Sequence, residues 1–454
     1  MSTINVSNLI LTLQQKIDSS TNEDNILYYS KAIQQLKTGN VFIVNNVSEL
    51  PNFQQNLGLL YYVRNDEFVY FSTSFGWREI YGGAARAIFS WGQNNALALG
   101  FTDIGITACS PVREFCSAID WCCIASGGGA RHAAALKTSG QLWAWGSGTS
   151  GELGNGIGIA AGTAANRGSP VREICSATDW CEVSAGGYAT AAIKTSGQLW
   201  VWGCNNCGKI GNGTTVNLCS PVREICSATD WCQVSTGFYA TAAVKTSGQL
   251  WVWGRNNFGN LGDGTTISKC SPVRELCSAT DWCQVSSGRL HTVAIKTSGQ
   301  LWSWGNNVGG RLGDGTTILK CSPVREFCSA TDWCQVSGGN SVTTTAIKTS
   351  GQLWTWGTNT CGGLGDGTGT SRCSPVREFC SATDWSHVSA GTCHMAAVKT
   401  SGQLWSWGHN GCGRLGDGTV TDRCSPVREI SSATDWSQAT AGHYFTTAMR
   451  ARST

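Results

Sequence analysis

The sequence predicts an all-β protein: a seven-bladed β-propeller closed by its own N- and C-terminal strands, preceded by a small α+β segment. Three observations carry that prediction. The phrase Ser-Pro-Val-Arg-Glu recurs seven times, starting at Ser110, Ser169, Ser220, Ser271, Ser322, Ser374 and Ser425, in steps of 59, 51, 51, 51, 52 and 51 residues. Each unit carries four short strand-like runs, the period of a propeller blade. The last unit stops halfway, and the piece it lacks stands at the start of the repeats.

One unit, Val234–Leu276, shows the elements in order. Thr241–Lys245 and Gln249–Trp253 are β-prone runs joined by Thr-Ser-Gly, which is hairpin-turn chemistry. Asn256–Thr266 holds three glycines and three asparagines and reads as a loop. Val273–Leu276 is a further strand, and Trp282–Ser286 opens the next unit. In Gln249-Leu250-Trp251-Val252-Trp253 side chains alternate between faces, yet both faces are apolar, so both need cover. Blades stacked around an axis supply it. Of 21 tryptophans, seven lie in the Asp-Trp phrase and twelve in Leu-Trp-x-Trp pairs, where large rings fill the wedge between blades.

Closure is legible as well. The final unit ends at Ala441–Met449 without its Leu-Trp-x-Trp strand, and Ala87-Ile88-Phe89-Ser90-Trp91-Gly92 supplies the missing run. Pairing the two removes an exposed sheet edge. The predicted domains are a helical hairpin over 1–40, a β-meander over 41–83 and the propeller over 84–454. In the first, Val6, Ile10, Leu13 and Ile17, then Ile26, Tyr29, Ile33 and Leu36, form two apolar stripes at helical spacing. Such a hairpin is either a local packing unit or a docking and oligomerisation element.

Composition excludes several classes. Only 13% of residues are charged and the net charge is +3, with the 32 basic residues spread through the repeats, so no nucleic-acid partner is expected. The start MSTINVSNLI lacks the basic and apolar regions of a secretory leader, and no apolar run is long enough to insert in a membrane.

The cysteines recur in register. One precedes Ser-Pro-Val-Arg-Glu (Cys109, Cys219, Cys270, Cys321, Cys373, Cys424). A second follows it (Cys116, Cys175, Cys226, Cys277, Cys328, Cys380), and a third follows Asp-Trp (Cys122, Cys181, Cys232, Cys283, Cys334). The second and third bracket a short loop and are candidate disulfides. Their joint replacement by Ser431 and Ser437 favours pairing, whereas Cys380 facing Ser386 opposes it. Cys207, Cys361 and Cys412 each lie twelve residues before Cys219, Cys373 and Cys424, which makes three further candidate pairs. Free thiols and a metal site are the competing readings. Only Cys204-Asn-Asn-Cys207 has zinc-type spacing, so no metal ligand is assigned. The Leu-Gly-Asp-Gly-Thr loops at Asp263, Asp314, Asp366 and Asp417 offer one carboxylate each, too few for calcium, and read as turns. No catalytic or cofactor-binding residues stand out, and no cofactor is expected. His387, His394, His409 and His443 concentrate in the last units, which with the insertion Gly156–Arg167 break the symmetry.

The unit seen in Val285–Thr316 resembles the repeat of the regulator of chromosome condensation family, over about residues 84–454. The resemblance implies a seven-bladed propeller whose last blade is built from both termini. The founding member is a chromatin-bound nucleotide-exchange factor; others are a plant ultraviolet photoreceptor, ubiquitin-ligase modules and a bacterial enzyme inhibitor. The photoreceptor's Gly-Trp-Arg-His-Thr motif is absent from these repeats, the nearest match being Gly76-Trp77-Arg78-Glu79. The close likeness among units resembles bacterial and phage surface proteins, and the run from Val47 to Trp77 resembles a module preceding distal domains of phage virion proteins.

Two functions follow as expectations. One is a non-enzymatic virion component of fibre, tail or decoration type, exposed on the particle and oligomeric, with virion or surface proteins and a host receptor as partners. The alternative is a cytoplasmic regulator or scaffold of the exchange-factor type. A tryptophan-based light sensor is a distant third.

Overall fold

The structure, a computed structural model, describes residues 86–102, 107–127, 129–157, 165–340 and 343–451, together with four strands between 41 and 81. The expected helices of the first forty residues lie outside the described residues. Two compact units divide near residue 85.

In the first unit, Val41–Val44, Leu60–Val63, Phe68–Thr73 and Gly76–Tyr81 form a four-stranded sheet in chain order. The last three strands make an antiparallel meander, but Val41–Val44 runs parallel to Leu60–Val63. A parallel neighbour needs a crossover, which a tight turn cannot make. The chain between these two strands is long enough to serve.

The second unit holds seven four-stranded sheets arranged as a closed ring. Blades are numbered here by their first strand: blade 1 from Trp121, blade 2 from Trp180, blade 3 from Trp231, blade 4 from Trp282, blade 5 from Trp333, blade 6 from Trp385 and blade 7 from Trp436. Blade 7 is the composite. Trp436–Ala441 and Phe445–Ala451 come from the end of the chain, Arg86–Gln93 and Thr107–Arg113 from the start of the ring. The join runs from Phe445 opposite Gly92 to Ala451 opposite Arg86, as the incomplete final repeat predicts.

The core is divided among the blade interfaces rather than gathered in one centre. Ala242, Val244, Leu250 and Val252 of blade 3 pack with Leu261 against Trp282, Val285 and Trp304 of blade 4, and the other interfaces repeat the scheme. Both faces of Leu250–Gly254 are covered, which is why alternation there is apolar on both sides. Gly254 closes this strand at φ +110, and a Cβ would meet the Tyr239 carbonyl oxygen at 2.5 Å, so only glycine fits.

Polar bonds then tie blade to blade. The second Trp of each Leu-Trp-x-Trp donates its indole N–H to a main-chain oxygen of the preceding blade. Trp202 donates to Glu152, Trp253 to Lys209, Trp304 to Asn260, Trp356 to Arg311 and Trp407 to Gly363, at 2.8–3.2 Å. The Glu of Ser-Pro-Val-Arg-Glu is buried and works locally: Glu224 accepts from the N–H groups of Cys226 and Ala228 and from the Trp231 indole. It thereby fixes the outer strand of blade 2 to the inner strand of blade 3. Pro221 sits in that outer strand, an edge position where the missing N–H is harmless.

Candidate binding face

The inner strands surround the axis, and their hydrogen bonds run around it. Gln233 accepts from the Val285 N–H at 2.8 Å, Gln284 from Val336 at 2.9 Å and Gln335 from Val388 at 3.1 Å. Glu182 takes the same place in blade 2, accepting from Val234 at 3.0 Å. Burial pushes its carboxyl up to about 8, against the opposing pull of that N–H. A channel along the axis is lined by Ser126, Ser184, Ser235, Ser286, Ser337 and Ser389. It offers hydroxyls and no ionised nucleophile.

On one face of the ring the loops between first and second strands converge over the channel. Gly129 of blade 1 lies against both Phe238 of blade 3 and Asn340 of blade 5. Asn340 N–H donates to the Gly391 oxygen, Thr392 N–H to the Gly442 oxygen, and His443 N–H to the Ala130 oxygen. The loops thus form a crown in which each is held by its neighbour.

This crown concentrates aromatic rings and cations. Phe238 makes edge contacts with Tyr188 at 5.5 Å and with Tyr239 at 4.6 Å. The Arg255 guanidinium lies 4.8 Å from the Tyr239 ring centre, Arg289 5.1 Å from Phe238, Arg414 5.2 Å from Tyr444 and Arg131 5.9 Å from Tyr188. Such stacking holds guanidinium planes in place while leaving their charge available. Arg131, Arg289 and Tyr444 are exposed. The field is positive: burial and then Arg131, Arg414 and Arg289 push His443 down to about 4. Beneath the crown Lys209 is buried, donating to the main-chain oxygens of Gly187 and Phe238, and burial pushes it down to about 8.

The even spread of basic residues along the sequence therefore does not carry over to the folded surface. The crown comes from positions that vary most between otherwise near-identical units: Ala130-Arg131, Gly187-Tyr188, Phe238-Tyr239, Arg289-Leu290, Thr392-Cys393 and His443-Tyr444. That variation against a constant background is the signal that composition missed.

The six histidines divide into two groups and one apart: His387 lies in the inner strand of blade 6, where burial pushes it down to about 4. His132, His291 and His394 are buried and bond across blades to Thr190, Thr344 and Thr446 at 2.8–3.0 Å. Burial first, then a neighbouring cation, pushes His132 and His291 down to about 3, so they are neutral structural bridges. His409 and His443 lie at the face.

No disulfide joins the described cysteines. The third-register thiols of Cys122, Cys181, Cys232, Cys283 and Cys334 donate to the main-chain oxygens of Leu136, Ile193, Val244, Ile295 and Ile347 at 3.3–3.4 Å. Ser386 and Ser437 make the same bond to Val398 and Met449. The Cys–Ser exchange at this position therefore keeps a donor and has an explanation other than pairing. Of the second-register residues, Cys116, Cys175, Cys226, Cys277, Cys328 and Cys380 are exposed; the N–H of Cys175 or Ser431 alike bonds the preceding glutamate. The long loops reach the neighbouring blade. Gly208 abuts Cys270, Gly362 abuts Cys424 and Gly413 abuts Cys109. The first-register cysteine facing the loop of Cys207, Cys361 or Cys412 is thus the next blade's, not Cys219, Cys373 or Cys424 of the same unit. The aspartates of the Gly-Asp-Gly-Thr loops are turn formers: Asp263 accepts from the Thr265 N–H and hydroxyl and from Asn256.

Comparison with known proteins agrees with this architecture. Residues 162–453 match the model of the RCC1-like domain, and residues 122–152 that of the regulator of chromosome condensation (RCC1) repeat. The human E3 ubiquitin-protein ligase HERC2 is 29% identical over 351 residues, which are 75% of this chain but 7% of HERC2. The ultraviolet-B receptor UVR8 of Arabidopsis thaliana is 30% identical over 307 residues, 66% of this chain and 68% of the receptor. Two structures of yeast RCC1 (Prp20), one bound to Kap60 and one described with its binding to Gsp1p and histones, superpose with a TM-score of 0.71 at 18% identity. They cover 82% of this chain and 90% and 92% of theirs.

Proposed function

The chain belongs to the family of regulator of chromosome condensation (RCC1) repeat propellers, and from that premise we propose that it is a non-enzymatic, protein-binding regulator whose loop crown engages an acidic segment of a partner. The observation that carries this is the set of arginines stacked on aromatic rings in the loop crown. Held guanidinium groups over apolar rings suit carboxylates flanked by aromatic or aliphatic side chains, and such anchors dominate protein interfaces.

The relatives support a regulator or binder over a virion component. They include a receptor, a ligase of which only the repeat region matches, and a propeller described with Kap60, Gsp1p and histones. The virion reading gives way to the regulator alternative, which these relatives support better. This reading expects an intracellular location.

The test is affinity capture with the full chain carrying a photo-crosslinking residue at Tyr444, compared with the same chain bearing Arg131→Glu and Arg289→Glu. Partners that crosslink to the first and not to the second, with both proteins melting alike, support the crown as the site. An unchanged partner set would remove it. A nucleotide-release assay on a captured GTPase would test the exchange-factor form of the proposal.

A further inference from the structure

We propose that Cys361, His409 and Asp422 form a zinc-type transition-metal site at the junction of blades 5 and 6, on the same face as the crown. Cys361 lies in the long loop of blade 5. His409 follows the third strand of blade 6, Leu404–Gly408, and Asp422 precedes its fourth, Arg423–Arg428. One donor atom from each of the three lies within 4.8 Å of the others. In tetrahedral zinc with Zn–N and Zn–O near 2.0 Å and Zn–S near 2.3 Å, donor atoms stand about 3.3–3.6 Å apart. Side-chain adjustment alone brings the three sites to that spacing.

The surroundings hold the donors in place. His409 Nδ1 lies 2.9 Å from Asp422 Oδ1. The Asn410 N–H donates to the same carboxylate oxygen at 2.6 Å, and the His409 N–H donates to the Cys393 oxygen at 2.8 Å. These bonds orient the first-coordinating groups as outer partners do in metal sites. Sulfur, imidazole and carboxylate together suit zinc or cobalt rather than magnesium or calcium. Three protein donors leave a fourth position for solvent or a partner's side chain. Binding releases the Cys361 thiol proton and any proton shared by His409 and Asp422.

Two further observations set this junction apart. Cys361 has φ +61, a left-handed conformation unfavourable for a residue with a Cβ. The equivalent position in blade 4 is Gly309, at φ +75, whereas Cys207, Phe258 and Cys412 in the other long loops do not adopt it. The repeat also supplies its own control. Beside Cys207 the place of His409 is taken by Arg255, which acts on that thiol, and the place of Asp422 by Ser268. Only the blade 5–6 junction brings three donors together among the described residues. Sequence spacing did not show it, because the ligands come from two units and no Cys-x-x-Cys or His-x-x-His motif links them.

The experiment uses the full chain, stripped of metal and kept reduced, titrated with cobalt(II) and then zinc. The expected result is one tight equivalent, a sulfur-to-cobalt charge-transfer band, and a rise in melting temperature on zinc addition. Cys361→Ser, His409→Ala and Asp422→Asn should each weaken binding at least tenfold while the metal-free proteins melt as the parent does. Cys207→Ser should change nothing. Absence of the charge-transfer band, or equal loss in Cys361→Ser and Cys207→Ser, would overturn the proposal and assign any bound metal to scattered thiols.

Discussion

The indole N–H of Trp91 donates to the main-chain oxygen of Arg414 at 2.9 Å, across 323 residues of chain. This is the bond that Trp253 makes to Lys209 within the continuous part of the ring. The seam is therefore built with the same chemistry as every other junction. Ser126 and Thr440 add a contact on the inner ring, 2.7 Å between hydroxyl oxygens.

The first prediction concerns that equivalence. Trp91→Phe and Trp253→Phe each remove one buried donor, while the main-chain oxygen keeps the hydroxyl of Thr446 or Thr241, so the lost bond costs about 1 kcal/mol. Chemical denaturation should give similar values for both. A much larger loss for Trp91→Phe would mean that the seam is the weak point of the ring. Truncation after Gly442 should instead abolish cooperative unfolding, since it strips Phe445–Ala451 and bares two strand edges.

The second prediction concerns acid–base behaviour at Glu182. Its carboxyl is held up to about 8 in the folded chain, mainly by burial, while the unfolded chain titrates near the ordinary value of about 4.3. The folded state thus keeps a proton that the unfolded state releases. Stability is full below the ordinary glutamate range and falls as pH rises toward 8. Glu182 is only partly shielded, so the loss is of order 2 kcal/mol rather than the full shift. Glu182→Gln should remove that slope, because Gln233 and Gln284 make the same bond without a charge. Melting temperatures from pH 4 to 9 check this, and a parallel slope in the variant would refute it.

The third prediction separates thiols from disulfides. Cys283→Ser should cost less than about 1 kcal/mol, since a hydroxyl keeps the donor to the Ile295 oxygen as Ser386 does to Val398. Burial pushes Cys283 up to about 11 and Cys232 up to about 12, so both stay protonated and slow to oxidise. Reductant should leave the melting temperature unchanged. A large drop on reduction would show structural cross-links after all.

The fourth prediction concerns the constant glutamate. Glu224→Ala deprives two main-chain N–H groups and the Trp231 indole of their acceptor. The expected cost is about 3 kcal/mol or more by denaturation. Glu224→Gln, which keeps one acceptor oxygen, should lose less.

The ring was legible because its determinants are local and repeated. Apolar alternation on both faces of Leu250–Trp253, the Thr-Ser-Gly turns and the halved final unit each report on a neighbour in sequence or one period away. Blade count and seam followed from these. The binding face and the candidate metal centre were not legible for the opposite reason. Gly129, Phe238 and Asn340 meet across the axis from blades 1, 3 and 5, and Cys361 meets His409 across a junction. Spacing along the chain says nothing about such convergence. The cysteine registers show the same gap between sequence and space: Cys207 stands twelve residues before Cys219, while the adjoining Gly208 abuts Cys270 of the next blade.

Arg86 and Ala451 are register partners in the composite blade, so the chain enters and leaves the disc at adjacent points. The disc is in that sense a cassette. It can be spliced into a surface loop of a host protein, or rejoined at these two residues and reopened at any Thr-Ser-Gly turn, without displacing a single wedge.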